Sequence, residues 1–243
     1  MTLFLASVRD AAEAELALAS GADIVDLKDP GTGALGALAP DIIATCVNQV
    51  GTRAPVSATI GDLPLKGDAV RKAVLHTAAL GVDYVKFGLF PGGDARMCLK
   101  RLTTAAARTR LIVVLFADAM PEFDAVALAA RIGAHGVMLD TMGKTAGSLT
   151  DHLSYMTLAG HIAAAKDAGL VVGLAGALTA RQVPSLLALA PDLLGFRSAL
   201  CRNGDRTEPL DVERLAAVRA LIPERPRLLS EPRMADIAPQ ALC

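Results

Sequence analysis

Short apolar runs of strand type recur along the chain. They are LFLASV (3–8), DIVDLK (23–28), PVSATIG (55–61), DYVKFGLF (83–90), RLIVVLFAD (110–118), HGVMLDT (135–141), LVVGLAG (170–176) and LLGFRSAL (193–200). Val, Ile, Leu and Phe dominate them, and polar residues enter at alternate positions, as pleated strands require. Between the runs lie Ala- and Leu-rich stretches with helical spacing, such as DAAEAELALASG, GDAVRKAVLHTAALG, EFDAVALAARIGA and DHLSYMTLAGHIAAAKDAG. Gly21, Gly81, Gly133 and Gly169 close helical stretches, where a helix C-terminus turns through positive φ.

Eight strand–helix units in about 220 residues, with no break in composition, predict an α/β fold: a (β/α)8 TIM barrel spanning residues 1–222 as one domain. An open doubly wound sheet is the alternative. It is disfavoured because the first strand runs into VRDAAEA rather than a glycine-rich phosphate loop. PLDVERLAAVRALI (209–222) predicts the last barrel helix. The proline-rich, charged segment 223–243 predicts an irregular C-terminal extension.

Alternate residues of a barrel strand face the barrel interior and the helix layer. In the second run Val25 and Leu27 form the outward pair, which leaves Ile24, Asp26 and Lys28 facing in. The same parity sends Val85, Phe87 and Leu89 outward and Tyr84, Lys86 and Gly88 inward. It puts Val137 and Leu139 out, Met138 and Asp140 in, and Phe116 and Asp118 in. Two lysines and three aspartates therefore collect near the C-terminal ends of the strands, the end at which barrel active sites are built. Lys144, in the loop after the sixth strand, can reach the same place.

A lysine beside a second cation in a partly dry pocket loses its proton more readily, and the free amine attacks carbonyls. Asp26 and Asp140 supply counter-charge and proton relay. Imine formation with general acid–base catalysis is the chemistry this set supports best. A purely structural Lys–Asp network is the competing explanation. Four such groups on three strands at one end weigh against it.

The seventh and eighth strands end in AGALT and GFRSALC. Small residues there let backbone N–H groups approach an anion, as at many barrel phosphate sites. Gly176, Ala177, Ser198 and Ala199 are the candidate lining, with Arg197 as its charge. Thr59 and Asp62 can touch substrate, although Asp62 reads more naturally as a turn residue.

Composition narrows the remaining classes. With 53% hydrophobic residues the 243-residue chain can bury a large core. Its 24 basic and 25 acidic residues give no cationic surplus, so neither nucleic acid nor a membrane surface is an expected partner. Cys46, Cys98, Cys201 and Cys243 form no CxxC pair and read as reduced structural thiols. His76, His135, His152 and His161 lack ligand spacing, so no metal or other cofactor is expected. No basic leader or long uncharged apolar span is visible, which leads to a cytoplasmic assignment. Apolar outer helices such as EFDAVALAARIG suggest a homo-oligomer.

The stretches ASGADIVDLKDPGTGALGA, VSATIGDLP, GVDYVKFGLF, MLDTMGK, LAGAL and GFRSALCRNGDR resemble the (5-formylfuran-3-yl)methyl phosphate synthases, from the N-terminus to about residue 220. The resemblance implies a cofactor-free TIM-barrel lyase of methanofuran-type carrier biosynthesis. It would condense two molecules of glyceraldehyde 3-phosphate with loss of phosphate and water. It further implies that Lys28 forms the Schiff base, Lys86 transfers protons, and Asp26, Asp140 and Lys144 assist. Two other functions fit the same residues: a Schiff-base aldolase or isomerase acting on a triose phosphate, and a non-catalytic phosphometabolite-binding barrel.

Overall fold

The computed structural model describes residues 1–143 and 147–224. Eight parallel strands close into a barrel in sequence order: β1 (Leu3–Val8), β2 (Ile24–Leu27), β3 (Val56–Thr59), β4 (Tyr84–Gly88), β5 (Arg110–Phe116), β6 (Gly136–Asp140), β7 (Val171–Leu174) and β8 (Leu193–Phe196). Leu5 pairs with Gly195 of β8 on one side and Ile24 of β2 on the other, which completes the ring. The last barrel helix covers Val212–Leu221. The expected extension lies outside the described residues beyond residue 224.

Most strands stop short of the apolar runs that predict them. The run at 193–200 is strand only to Phe196; Arg197 leaves the β region at φ −134°, ψ −71°, and Ser198–Leu200 form a 3-10 turn. The polar residues beyond each strand end are therefore free to turn toward the barrel mouth. The four expected helix-terminal glycines hold positive φ, between 73° at Gly169 and 87° at Gly81.

Strand parity divides the apolar residues into two cores. Leu5, Ile24, Ile112, Val114, Phe116, Met138 and Leu193 fill the barrel interior. Val25, Leu27, Val85, Phe87, Leu89, Val137 and Leu139 pack outward beneath the helices. The inward and outward assignments made from sequence for β2, β4 and β6 are those of the structure.

The loop after β2 is not a surface connection. It folds back so that Ala34 and the fully buried Leu35 join the interior core. Asp62 accepts from the backbone N–H groups of Ala34 (2.8 Å) and Leu35 (2.7 Å). Thr59 Oγ1 donates to the Gly36 carbonyl at 2.8 Å. Asp62 is thus a turn-fixing carboxylate and Thr59 a second anchor, both spent on this loop. Leu35 lies over β4 and β5, beside Phe90 and Phe116, whose ring centroids are 4.7 Å apart. It can lie there because β4 ends in glycine. A Cβ on Gly88 would come within 2.6 Å of Phe90, 2.7 Å of Leu35 and 3.0 Å of Phe116. One half of the mouth is thereby plugged with apolar side chains and the other half is left open.

Gly88→Ala is expected to cost about 1–3 kcal/mol through overpacking. The cost should shrink when Leu35→Ala is added, because the two sites compete for one volume. Urea unfolding of the single and double variants checks this, and strict additivity would show that Leu35 is not the plug.

Candidate functional site

The open half of the mouth is a cavity of about 470 Å³. Ser7, Asp26, Lys28, Lys86, Asp140, Gly176, Ala177, Arg197, Ser198, Asp205 and Arg206 supply its polar wall and small residues. Asp26, Lys28, Lys86 and Asp140 are all buried, although each carries an ionisable group. A charge removed from water is retained only if partners replace the water.

Asp26 has those partners. Its carboxylate accepts from Ser7 Oγ at 2.8 Å, Ser57 Oγ at 2.5 Å and Lys86 Nζ at 2.6 Å. The three arrive from three different strands because parallel register sets Ser7, Asp26 and Ser57 side by side across β1, β2 and β3. Burial alone would raise the Asp26 pKa. The charges of Lys86 and Lys28, with hydrogen bonds from Lys86 and Ser57, outweigh it and hold the group below its ordinary value.

Asp140 closes the opposite side. One of its oxygens accepts from the Thr141 N–H at 2.7 Å, and the other lies 4.0 Å from Lys28 Nζ. The two lysines are therefore held differently: Lys86 is in short contact with its carboxylate, whereas Lys28 faces Asp140 at a longer range. Lys86, Leu5 and Met138 also border a second cavity of about 250 Å³ at the other end of the barrel. His135 belongs to that far end, where it packs against Tyr84 at 5.3 Å between ring centroids.

Gly176 and Ala177 form the wall after β7. Gly176 has φ +98°, and a Cβ there would stand 2.8 Å from the Thr141 N–H nitrogen, so only glycine allows this close approach. Ala177 holds φ +47°, a left-handed conformation that costs a non-glycine residue about 1 kcal/mol. Ser198 lines the cavity as expected; Ala199 is instead packed against the outer core. Lys144 lies outside the described residues.

Two further expectations are revised. Asp118 lies beyond the end of β5 and accepts from the N–H groups of Met142 (2.8 Å) and Gly143 (2.6 Å). Partial burial raises its pKa, but these two bonds bring it below the ordinary value. It shapes the loop leading to Lys144 rather than lining the cavity. Arg197 borders the cavity, but its guanidinium is fully engaged. Nε donates to Arg206 O (2.8 Å), Nη1 to Ser7 O (3.1 Å) and Glu13 Oε2 (2.5 Å), and Nη2 to Glu13 Oε1 (3.3 Å) and Glu208 O (3.1 Å). A guanidinium has five N–H donors, so none is left for a phosphate. Arg197 clamps the loop after β8 instead.

Sequence reasoning passed over Ser7, Ser57 and Arg206. Applying parity to β1 and β3 would have found both serines, because each stands level with Asp26. Burial lowers the Arg206 pKa below the ordinary arginine value, against the opposing pull of Asp140. The buried thiols of Cys46, Cys98 and Cys201 are pushed up to about 11 by burial, which keeps them protonated and unreactive.

Ionised Asp26 stabilises the fold above the unfolded-state pKa of about 4, and that contribution is lost as pH falls through its lower folded value. Asp26→Asn is expected to be less stable at neutral pH by about 3–5 kcal/mol, because it leaves Lys86 without its counter-ion. The gap to wild type should narrow progressively below about pH 4. Urea midpoints measured from neutral to acid pH check this; a gap that does not change would show that Asp26 contributes nothing through its charge.

Comparison with known proteins places the chain in a family. A family model described as 4-HFC-P synthase matches residues 4–219. A Methylorubrum extorquens protein is 42% identical over 218 residues, covering 89% of this chain and 90% of the relative. The (5-formylfuran-3-yl)methyl phosphate synthase of Methanopyrus kandleri is 35% identical over 206 residues, covering 80% and 87%. Among solved structures, phosphoribosyl anthranilate isomerase from Thermus thermophilus superposes with a TM-score of 0.62 at 17% identity, covering 91% of this chain and 98% of that one, which speaks for the fold alone.

Proposed function

The chain belongs to the 4-HFC-P synthase family, and we propose that it condenses two molecules of glyceraldehyde 3-phosphate into (5-formylfuran-3-yl)methyl phosphate. The stoichiometry balances when one inorganic phosphate and two waters leave. The observation that carries this reading is the pairing at the mouth: two buried lysines, each facing a carboxylate, in one cavity large enough for small phosphorylated substrates.

Lys28 is the proposed nucleophile. The sequence resemblance gives it that role, and it lines the cavity with its Nζ 4.0 Å from Asp140, whereas Lys86 is held against Asp26 at 2.6 Å. Attack of the Lys28 amine on a triose aldehyde expels water and forms an imine, which acidifies the adjacent carbon. Lys86, oriented by Asp26, moves the protons at that carbon, with Asp140 serving the opposite face. Loss of that carbon's proton expels the phosphate of the next carbon by β-elimination and leaves a three-carbon enol. The second triose is isomerised from aldehyde to ketone by proton transfer, and the terminal carbon of the enol attacks its carbonyl, the carbon that bears the phosphomethyl group. The primary hydroxyl then closes onto the first triose's second carbon, and loss of two waters gives the furan, whose aromaticity draws the sequence forward. Hydrolysis of the imine returns Lys28 to its starting state. Backbone N–H groups at Gly176, Ala177 and Ser198 are proposed contacts for substrate phosphate, in keeping with the general position of barrel phosphate sites. The assignment of Lys144 as a third participating lysine rests on the sequence resemblance.

Borohydride added during turnover of glyceraldehyde 3-phosphate is expected to mark Lys28, as read by peptide mass spectrometry, and Lys28→Ala is expected to lose turnover by about three orders of magnitude or more, as removal of a covalent nucleophile does. Release of inorganic phosphate in step with furan absorbance separates this reaction from a plain aldolase or isomerase. A stable adduct on another lysine, or full activity of Lys28→Ala, would refute the scheme.

A further inference from the structure

The loop after β8 is built to present one side chain. An antiparallel bridge between Cys201 and Leu210 closes its base, and Arg202 N–H donates to Pro209 O at 3.0 Å. Three successive carbonyls within it are then held by arginines: Arg206 O and Glu208 O by Arg197, and Thr207 O by Arg9 at 2.7 Å. Glu13, buried between them, pairs with Arg197 and accepts from the Arg9 backbone N–H at 3.0 Å. Such a concentration of bonds on one short connection fixes where the Arg206 side chain begins.

That side chain borders the cavity together with Lys28, Lys86, Asp140, Gly176 and Ser198. Its Nη2 donates to the carbonyl of Gly33, at 3.0 Å, in the loop after β2. Gly33 has φ +117°, and the next two backbone N–H groups, of Ala34 and Leu35, are held by Asp62. Of the four cations lining the cavity, Lys86 faces Asp26, Lys28 faces Asp140 and Arg197 faces Glu13. Arg206 forms no ion pair within 4.0 Å among the described residues, and a single one of its five donors is engaged there. A planar fork with open donors at the rim of a cavity is suited to an oxyanion of matching geometry.

We propose that Arg206 is the phosphate receptor of this site: its guanidinium binds the phosphate of the incoming triose phosphate, while the Gly33 carbonyl and the Arg197–Glu13 pair hold it in position. Arg206 is then a substrate-binding residue, and Arg197 a positioning residue that acts through the Arg206 backbone. The proposal rests on the reading of the site as one for phosphorylated trioses, yet phosphate binding is measurable without turnover.

The test titrates inorganic phosphate into the full chain by calorimetry, with Arg206→Gln, Arg206→Lys and, as a surface-charge control, Arg71→Gln. Arg206→Gln is expected to weaken phosphate binding about ten-fold or more, the loss that charge-assisted hydrogen bonds imply. Arg206→Lys should recover part of it, because a point charge replaces a fork, and Arg71→Gln should bind as wild type does. With glyceraldehyde 3-phosphate, KM should rise in Arg206→Gln by a similar factor while kcat changes much less. Phosphate affinity of Arg206→Gln within about two-fold of wild type would overturn the proposal, since so small a change is below the worth of one hydrogen bond. Should that variant not fold, unchanged phosphate affinity in Arg206→Lys would overturn it equally. Loss of phosphate binding in Arg206→Gln, with no borohydride adduct at Lys28 in wild type, would sink the condensation chemistry and leave the receptor standing.

Discussion

A carboxylate with no exposure to water sits at the centre of this barrel, and its neighbours are arranged to satisfy it. Asp26 is fully buried. It is retained as an anion because three donors on three strands converge on it, one of them a lysine ammonium at 2.6 Å. Removing any donor would leave part of a buried charge uncompensated, a penalty larger than most single side-chain contributions to a fold. The requirement acts on sequence in a specific way. The interior face of a barrel strand ordinarily carries branched aliphatic residues, as it does at Ile24, Ile112 and Val114. Beside Asp26 it carries Ser7 and Ser57 instead, and Lys86 reaches the same carboxylate. One buried charge has converted a layer of the core into a polar platform, and the cavity stands on that platform.

The cavity is open above the platform because the apolar material that would otherwise fill the mouth has been moved to one side. Leu35 plugs the space over β4 and β5, and it reaches that place only because Gly88 has no side chain and Asp62 holds two backbone N–H groups of the loop. On the opposite side Gly176 allows the chain after β7 to lie against Thr141, which keeps that wall thin. The two glycines act in complementary ways: Gly88 admits a hydrophobic plug, and Gly176 leaves backbone exposed to the cavity.

Much of this was legible in the sequence. Period-two patterning gave all eight strands and, through parity, the inward direction of Asp26, Lys28, Lys86 and Asp140. These inferences succeeded because parity is a local property of the strand. Residues beyond the strand ends were harder. Asp118, Arg197 and Ala199 were assigned to the mouth by extending strand or loop logic past the point where the backbone turns, and the turn redirected each of them. Arg197 shows the limit most clearly. Whether an arginine is available to a ligand depends on how many of its five donors the fold has already used. All five acceptors of the Arg197 donors lie nine or more positions away in sequence, on Ser7, Glu13, Arg206 and Glu208, and pattern reading has no access to them. The Glu13–Arg197 pair joins the first helix of the barrel to the turn after its last strand, a contact made only when the ring closes.

The same consideration explains why two lysines so alike in sequence context carry different proposed roles. Both sit in apolar runs, both point inward, and each has a carboxylate opposite. What separates them is the geometry of the pair. Lys86 is level with the polar platform, within charge-assisted hydrogen-bond range of a carboxylate that two serines already hold rigid. Lys28 stands one step higher on β2, past the last paired residue, with its carboxylate at 4.0 Å and the cavity beside it. An amine that must leave its counter-ion to attack a carbonyl is better placed at the longer separation, and an amine that must return a proton to the same place in each cycle is better placed at the shorter one. Under the proposed chemistry, the alternation that sends Asp26 and Lys28 inward along a single strand is therefore what sets nucleophile and proton-transfer machinery at successive heights in one cavity.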